Sequence, residues 1–324
     1  MRVLPAMTWL VTSIVASTGA WAQAQAQLPD RPLRLLVGAP AGGPTDIVAR
    51  VLADRLAPAL GRTIVIDNRA GAGGNIATQA LVQAPADGTT MFMGSFANAV
   101  NPAMMNLPYD TRRDLLPVSQ VTRVPLVVVV PAALPAANVG ELVALARRAP
   151  GTVNIASGGI GTSAHLAAEL FKRIAGVDMP IIQYKGGGPA LQDVMAGRLQ
   201  VAFDNMQTSL PQLAGGKIRM LAVTTAQRMA DLPALPTVSE TPGLRDFVVL
   251  SWHGVFMRSG TPPPIVERIA REIAAACASR ELRERFAQLK IEAIGNTPEE
   301  FARFFYAEME TWGRVVREAN IRAE

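Results

Sequence analysis

From residue 33 onward the apolar positions switch between two spacings. The run "LRLLVG" predicts a strand. Residues 45–60 then carry Ile47, Val48, Val51, Leu52, Leu56 and Leu60 at three- and four-residue intervals, which predicts a helix with one buried stripe. "TIVID" and "TTMFMGS" predict further strands, separated by the glycine loop and short helix of "NRAGAGGNIATQALVQAPADG". Residues 139–213 repeat the alternation as helix "VGELVALARRA", strand "TVNIAS", helix "SAHLAAELFKRIAG", strand "MPIIQY", helix "PALQDVMAG" with Pro189 at its start, and strand "LQVAFD". Apolar strands between amphipathic helices are the grammar of an α/β fold with a sheet covered on both faces.

Two extended stretches bracket that second set: "LLPVSQVTRVPLVVVV", with Pro125 inside it, and "KIRMLAVTT". They predict that the chain leaves one sheet, builds another and returns. The expected organisation is a discontinuous first lobe, residues 28–122 plus 226–324, and an inserted second lobe, residues 123–225. Two lobes on two extended crossings can hinge, and the cleft between them is the natural ligand site. The remainder predicts a strand in "FVVLSWHGVFM" and two or three helices. On the last of these, Phe301, Phe304, Phe305, Met309, Trp312 and Val316 recur at helical spacing and read as core covering the first sheet.

The first residues follow another pattern. Arg2, the apolar "WLVTSIVAST" and the small-residue steps "AWA" and "AQAQA" have the layout of a secretory signal peptide over residues 1–26, which predicts export to the periplasm. A membrane anchor would need nearer 20 apolar residues, and the most apolar later run, "PLVVVV", is closed by Pro131. With 324 residues, 49% of them apolar, the chain can fill two ordinary domains. Its 31 Lys and Arg against 26 Asp and Glu are scattered singly, without the block of like charge that a nucleic-acid or lipid surface would use. Cys277 is the single cysteine, so neither a disulfide nor a cysteine metal site is available, and it should pack as a small hydrophobe.

Several chemistries lack their residues. A phosphate loop needs Lys-Ser or Lys-Thr after its glycines, and neither "AGAGGN" nor "YKGGGPA" has one; "GAGGNI" and "GGIGTS" also miss the dinucleotide spacing. There is no G-x-S-x-G elbow. Ser157, His165 and Asp204 form a triad only on paper, with His165 better read as a first-turn helix residue near the cleft. His253 is the only other histidine, so a histidine metal site is not supported either.

What the chain does contain is two similar corners, "LLVGAPAGGPTDIVAR" and "VNIASGGIGTSAHLAAEL". In each, a strand runs through two or three glycines into a helix, with Thr45, or Thr162 and Ser163, at the helix start beside the first unpaired amides. A helix N-terminus carries partial positive charge and aims donors outward, and strand carboxyl ends are where α/β sheets bind ligands. Two such corners facing across a hinge would grip a carboxylate from both sides, and the glycines predict that Gly43→Val or Gly161→Val blocks it.

At these residues the sequence resembles the solute-binding proteins of tripartite tricarboxylate transporters, the Bug or TctC-type receptors. The resemblance covers essentially the whole chain after residue 26, on "PAGGPTDIVAR", "VIDNRAGAGGNIAT", "ADGTTMFMGS", "YDTRRDLLPVSQVTRVPLVVVV", "ASGGIGTSAHLAAELFK", "QYKGGGPALQDVMAGRLQVAFDN", "KIRMLAVTTAQRMADLPALPTVSE" and "WHGVF". It implies a two-lobed Venus-flytrap fold of the periplasmic-binding-protein class, type II, with two crossover strands. It implies a ligand carboxylate held by Pro40, Gly42, Gly43, Thr45 and Asp46 of the first loop and by Ser157, Gly158, Gly161, Thr162, Ser163 and His165 of the second. Tyr184, Lys185 and Asp204 lie on neighbouring strand ends. The implied protein is a monomeric receptor without catalytic residues, cofactor or metal, and without a nucleic-acid partner. It would capture a di- or tricarboxylate, aromatic acid or amino acid for the permease subunits of a tripartite tricarboxylate-type transporter. The alternatives are a ligand-sensing receptor for a signalling partner and, further off, a secreted hydrolase using Ser157 and His165. One departure stands out: many relatives carry an aromatic residue just before the first loop's proline, where this chain has Gly38 and Ala39, so a side wall of the pocket is expected to be missing.

Overall fold

The computed structural model of the chain describes residues 28–322, so the expected signal peptide lies outside the described residues. In chain order, β1 (Leu33–Val37), α1 (Pro44–Leu60), β2 (Ile64–Asn68), α2 (Asn75–Gln83), β3 (Thr90–Ser95) and α3 (Phe96–Met104) come first. The long strand β4 (Leu115–Pro131) leads to α4 (Val139–Arg148), β5 (Ile155–Ser157), α5 (Ser163–Ala175), β6 (Ile181–Gln183), α6 (Gly187–Met195), β7 (Val201–Asn205) and β8 (Ile218–Val223). Then β9 (Leu250–Arg258), α7 (Pro263–Ala278), α8 (Arg280–Gln288), β10 (Glu292–Ala293) and α9 (Pro298–Glu318) complete the chain.

The strands lie in the order β2-β1-β3-β9-β4-β7-β5-β6, with β8 and β10 also paired to β4. Each end of this array is parallel: β1 lies between β2 and β3, and β5 between β6 and β7. The strand β4 joins the two ends. Its residues 115–125 pair antiparallel with β9, and residues 126–131 pair antiparallel with β7 and β8. A parallel pair needs a crossover helix, so each parallel end reads strand, helix, strand, and the helices α1, α5 and α6 start at strand carboxyl ends.

Along α1 burial follows the apolar periodicity with one exception. Val48, Val51, Leu52, Leu56 and Leu60 are buried on α1, while Ile47 is exposed. Adjacent helical positions are about 100° apart, so only one of Ile47 and Val48 can centre the stripe. The aromatic residues of α9 form core as expected: Phe301 and Phe305 are fully buried and pack edge-on against Trp252 of β9, and Trp312 packs edge-on against Phe96 at 4.9 Å. Cys277 is buried and unpaired, and burial pushes its thiol up to about 12, so it is inert packing. Some elements differ from the sequence expectation. α6 begins at Gly187, which places Pro189 in its third position, and α3 was not anticipated, since its nine residues include Pro102 and two asparagines.

Candidate functional site: a cavity at four helix N-termini

The first corner is set by a close approach. A Cβ on Gly38 would lie 2.7 Å from the Cα of Gly74, so only glycine lets the end of β1 pass the residue that opens α2. The loop beyond is braced by Asp46. Its buried carboxylate accepts hydrogen bonds from the Gly42 amide (2.8 Å), Arg50 Nε (2.8 Å) and Asn68 Nδ2 (2.9 Å). Burial by itself pushes this carboxyl up, but the bonds from Arg50, Gly42 and Asn68 and the Arg50 charge outweigh it and hold the pKa below its ordinary value. Asp46 is thereby an ionised strut of the loop. No side chain caps α1, and Pro44 in its first turn has no N–H, which leaves the Thr45 amide among the free donors at the helix start.

The second corner repeats the device. A Cβ on Gly158 would lie 2.9 Å from the Gly187 nitrogen and 3.2 Å from the Gly186 carbonyl carbon, and the Gly186 amide donates to the Gly158 carbonyl at 3.0 Å. Thr162 caps α5, its Oγ1 accepting the His165 amide at 3.2 Å and donating to the Gly159 carbonyl at 2.8 Å. His165 Nδ1 accepts the Gly161 amide at 3.2 Å. Burial, with the Lys172 charge adding to it, pushes the His165 pKa down to about 4, so the ring is neutral and Nδ1 is a bare acceptor. Ser157 is fully buried and its Oγ accepts the Gly159 amide at 3.4 Å. Ser157 and His165 therefore each brace the turn, and the unprotonated ring nitrogen of His165 already holds the Gly161 amide.

Between the corners lies a cavity of about 250 Å³. Ala39, Pro44 and Thr45 line it from the first corner, and Gly158, Thr162, Ser163 and Ala164 from the second. Ser95, Phe96 and Ala97 enter from the start of α3, Gly186 and Gly187 from the start of α6, and Asp204, Asn205, Ser251 and His253 from the ends of β7 and β9. The first turns of α1, α3, α5 and α6 thus converge on one small volume, and among the described residues no lysine or arginine lines it. An anion here would be held by amides and helix termini. Such bonds to a charged group contribute about 1.5–3 kcal/mol each, so four or five reach the ~8 kcal/mol of micromolar binding after association costs. The volume suits a small ligand, just below the usual range of about 300–1,000 Å³.

The cavity also presents acceptors. Asp204 Oδ2 accepts from Thr208 Oγ1 (2.5 Å) and Ser209 Oγ (2.6 Å), yet burial outweighs these bonds and raises the Asp204 pKa. The Asn205 Oδ1 is buried without a protein partner. A larger open groove of about 870 Å³ lies beside the C-terminal half of α1, lined by Asp54, Pro58, Gly61, Arg62 and Ile64 among others. It meets the negative end of the helix dipole and none of the corner loops, so the smaller cavity is the candidate site.

Residues 48–321 match the family described as the tripartite tricarboxylate transporter family receptor. The chain belongs to that receptor family. It is 37% identical over 312 residues to the protein BugT of Bordetella pertussis, covering 95% of both chains. Among solved structures it is similar to R. palustris Rpa4515 with adipate, at 35% identity and a TM-score of 0.84 over 91% of this chain and 99% of the other. It is also similar to the periplasmic binding protein BugD, at 31% identity and a TM-score of 0.81, covering 91% of this chain and all of that one, 100%. The receptor has the periplasmic-binding-protein fold.

Of the residues named from sequence, Thr45, Gly158, Thr162, Ser163 and Asp204 line the cavity. Pro40, Gly42, Gly43, Asp46, Ser157, Gly161 and His165 build the loops behind it, and a Cβ on Gly161 would meet Met104 of α3 at 2.7 Å. Tyr184 turns its hydroxyl to Asp193, and Lys185 is exposed. The α3 start and the β9 pair Ser251 and His253 escaped sequence reasoning. The second had a signal: two polar residues spaced by two in the otherwise apolar "VVLSWHGVF" mark one face of a strand as different from the other.

Proposed function

We propose that this receptor is exported to the periplasm, captures a small organic carboxylate in the cavity between its two corners, and presents it to membrane permease subunits. The observation that carries the reading is the convergence of four helix N-termini on a 250 Å³ cavity with no cationic side chain in its wall. The similar structures with adipate, for Rpa4515, and with malate, for MatC of Rhodopseudomonas palustris, support a carboxylate as the ligand class. Residues 28–122 plus 226–324 act as one lobe and residues 123–225 as the other, hinged where β4 and the segment at Thr224 run between them. Thr224 ties both crossings, its amide donating to the Leu126 carbonyl at 2.9 Å and its hydroxyl to the Val249 carbonyl at 2.5 Å.

The experiment is a thermal-shift panel of mono-, di- and tricarboxylates and amino acids on the exported form of the chain. A ligand at 100 times its Kd stabilises the protein by about 2.7 kcal/mol, a rise of several degrees. The same ligand is expected to lose its effect on Ala39→Phe, which fills the wall of the cavity. Silence across the panel, together with ester or amide turnover that Ser157→Ala removes, would overturn the reading.

A further inference from the structure

His253 has no part in the corner loops, yet it lines the cavity while 97% buried, its relative exposure being 3%. Strand register explains its position. His253 stands opposite Ser95 of β3 on one side and opposite Thr122 of β4 on the other. Ser251, two residues earlier, lines the cavity as well, whereas Trp252 between them packs into the aromatic core on the opposite face with Phe301 and Phe305.

The tautomer follows from the hydrogen-bond partners. His253 Nδ1 lies 2.9 Å from Thr122 Oγ1, and Thr122 is fully buried. A buried hydroxyl must place its single proton on an acceptor, and the ring nitrogen is the partner this hydroxyl has. With Thr122 as the donor to Nδ1, the ring proton sits on Nε2, the nitrogen that Thr122 does not engage. Burial keeps the ring neutral, pushing its pKa down to about 4.

We propose that His253 is the specificity residue of this receptor: a Thr122-held, neutral imidazole whose Nε2–H donates to a second oxygen acceptor of the bound carboxylate. Phe96, Ala156, Ala190, Leu191 and Phe203 give the cavity its apolar wall. The wall leaves a short apolar spacer between the carboxylate in the cradle and the group that meets His253. This rests on the carboxylate-receptor reading above and adds to it a preference for ligands with two oxygen-bearing ends, a dicarboxylate foremost.

The test titrates dicarboxylates of four to seven carbons, adipate among them, against the monocarboxylate of equal length, such as hexanoate, by calorimetry. The wild-type protein is expected to bind at least one dicarboxylate about 10-fold or more tighter than its partner. His253→Phe keeps the ring and removes the donor. It should weaken that dicarboxylate by about 10- to 100-fold and leave the monocarboxylate within about threefold, with His253→Gln in between. Because the chain has only two histidines, long-range proton–nitrogen spectra assign the tautomer directly, and Nε2–H is expected with and without ligand. A ratio unchanged by His253→Phe, a wild-type preference for monocarboxylates, or an Nδ1–H tautomer overturns the role of His253 while leaving the receptor reading intact. Failure of every carboxylate to bind the wild-type protein overturns both.

Discussion

Gly158→Ala puts the pairing of loops behind the cavity to a quantitative test. The added carbon would meet the Gly187 nitrogen at 2.9 Å, the Gly187 Cα at 3.1 Å and the Gly186 carbonyl carbon at 3.2 Å. All three are backbone atoms, so no rotamer change relieves them, and the start of α6 must retreat by roughly half an ångström to restore ordinary contact. Overpacking of this kind costs about 1–3 kcal/mol, offset by the ~0.4–1 kcal/mol that alanine gains by restricting the unfolded chain. Gly158 is not in the left-handed region, so backbone strain adds nothing. The net loss of about 0.5–2 kcal/mol should lower Tm by roughly 1–8 °C. The same retreat carries the Gly187 amide away from a bound carboxylate, and an affinity loss of about tenfold, ~1.4 kcal/mol, is expected by calorimetry. Gly188→Ala is the control, because a Cβ there meets nothing within 4 Å. Gly38→Ala, facing Gly74 at 2.7 Å, should be more damaging than Gly158→Ala. If Gly158→Ala melts and binds like Gly188→Ala, the second corner and the start of α6 do not depend on each other and the close-approach account fails.

Two further outcomes follow from the struts. Asp46→Asn cannot accept from Gly42, Arg50 and Asn68 together, since one of its two oxygens becomes a donor. The variant should lose about 2–4 kcal/mol in urea unfolding near neutral pH. Because the folded pKa of Asp46 is depressed, that contribution is present above the unfolded value near 4 and is lost as pH falls through the folded value; a difference that persists below it would refute the strut. For His165 the sign reverses. Its folded pKa of about 4 lies below the unfolded ~6.5, so acid favours the unfolded state, and this ring alone should take up to about 3 kcal/mol from wild-type stability as pH falls from 6.5 to 4. His165→Asn still offers an acceptor to the Gly161 amide and does not titrate. The wild-type minus variant difference should slope over that window and be flat above pH 7, and a flat difference throughout would show that the ring is not buried neutral.

The α/β alternation, the order of the elements and the two corners were legible because each rests on local chemistry: a period of two or 3.6, a glycine run, a threonine before a helix. What could not be read locally is which side of each corner faces the cavity. Gly161 looks like a cradle residue in sequence, but its missing Cβ makes room for Met104, a contact between residues 57 apart in the chain. Asp46 looks like a ligand contact at a helix start, but Gly42, Arg50 and Asn68 use up its oxygens. Gly38 and Gly158 carry the same lesson in positive form, since each lacks a Cβ in order to clear backbone some thirty residues away, at Gly74 and Gly187. His253 shows the limit most sharply. Polar alternation in β9 marks its face as distinct, yet whether that face meets solvent, core or cavity is fixed by the register that sets Ser95 and Thr122 beside it. The cradle amides belong to glycine, alanine, serine and threonine, residue types common in any loop, so the anion-binding character of the site is stated by backbone geometry. The selectivity we assign to His253 belongs to a side chain, and it is the part of the site that a change of one residue can alter without disturbing the fold.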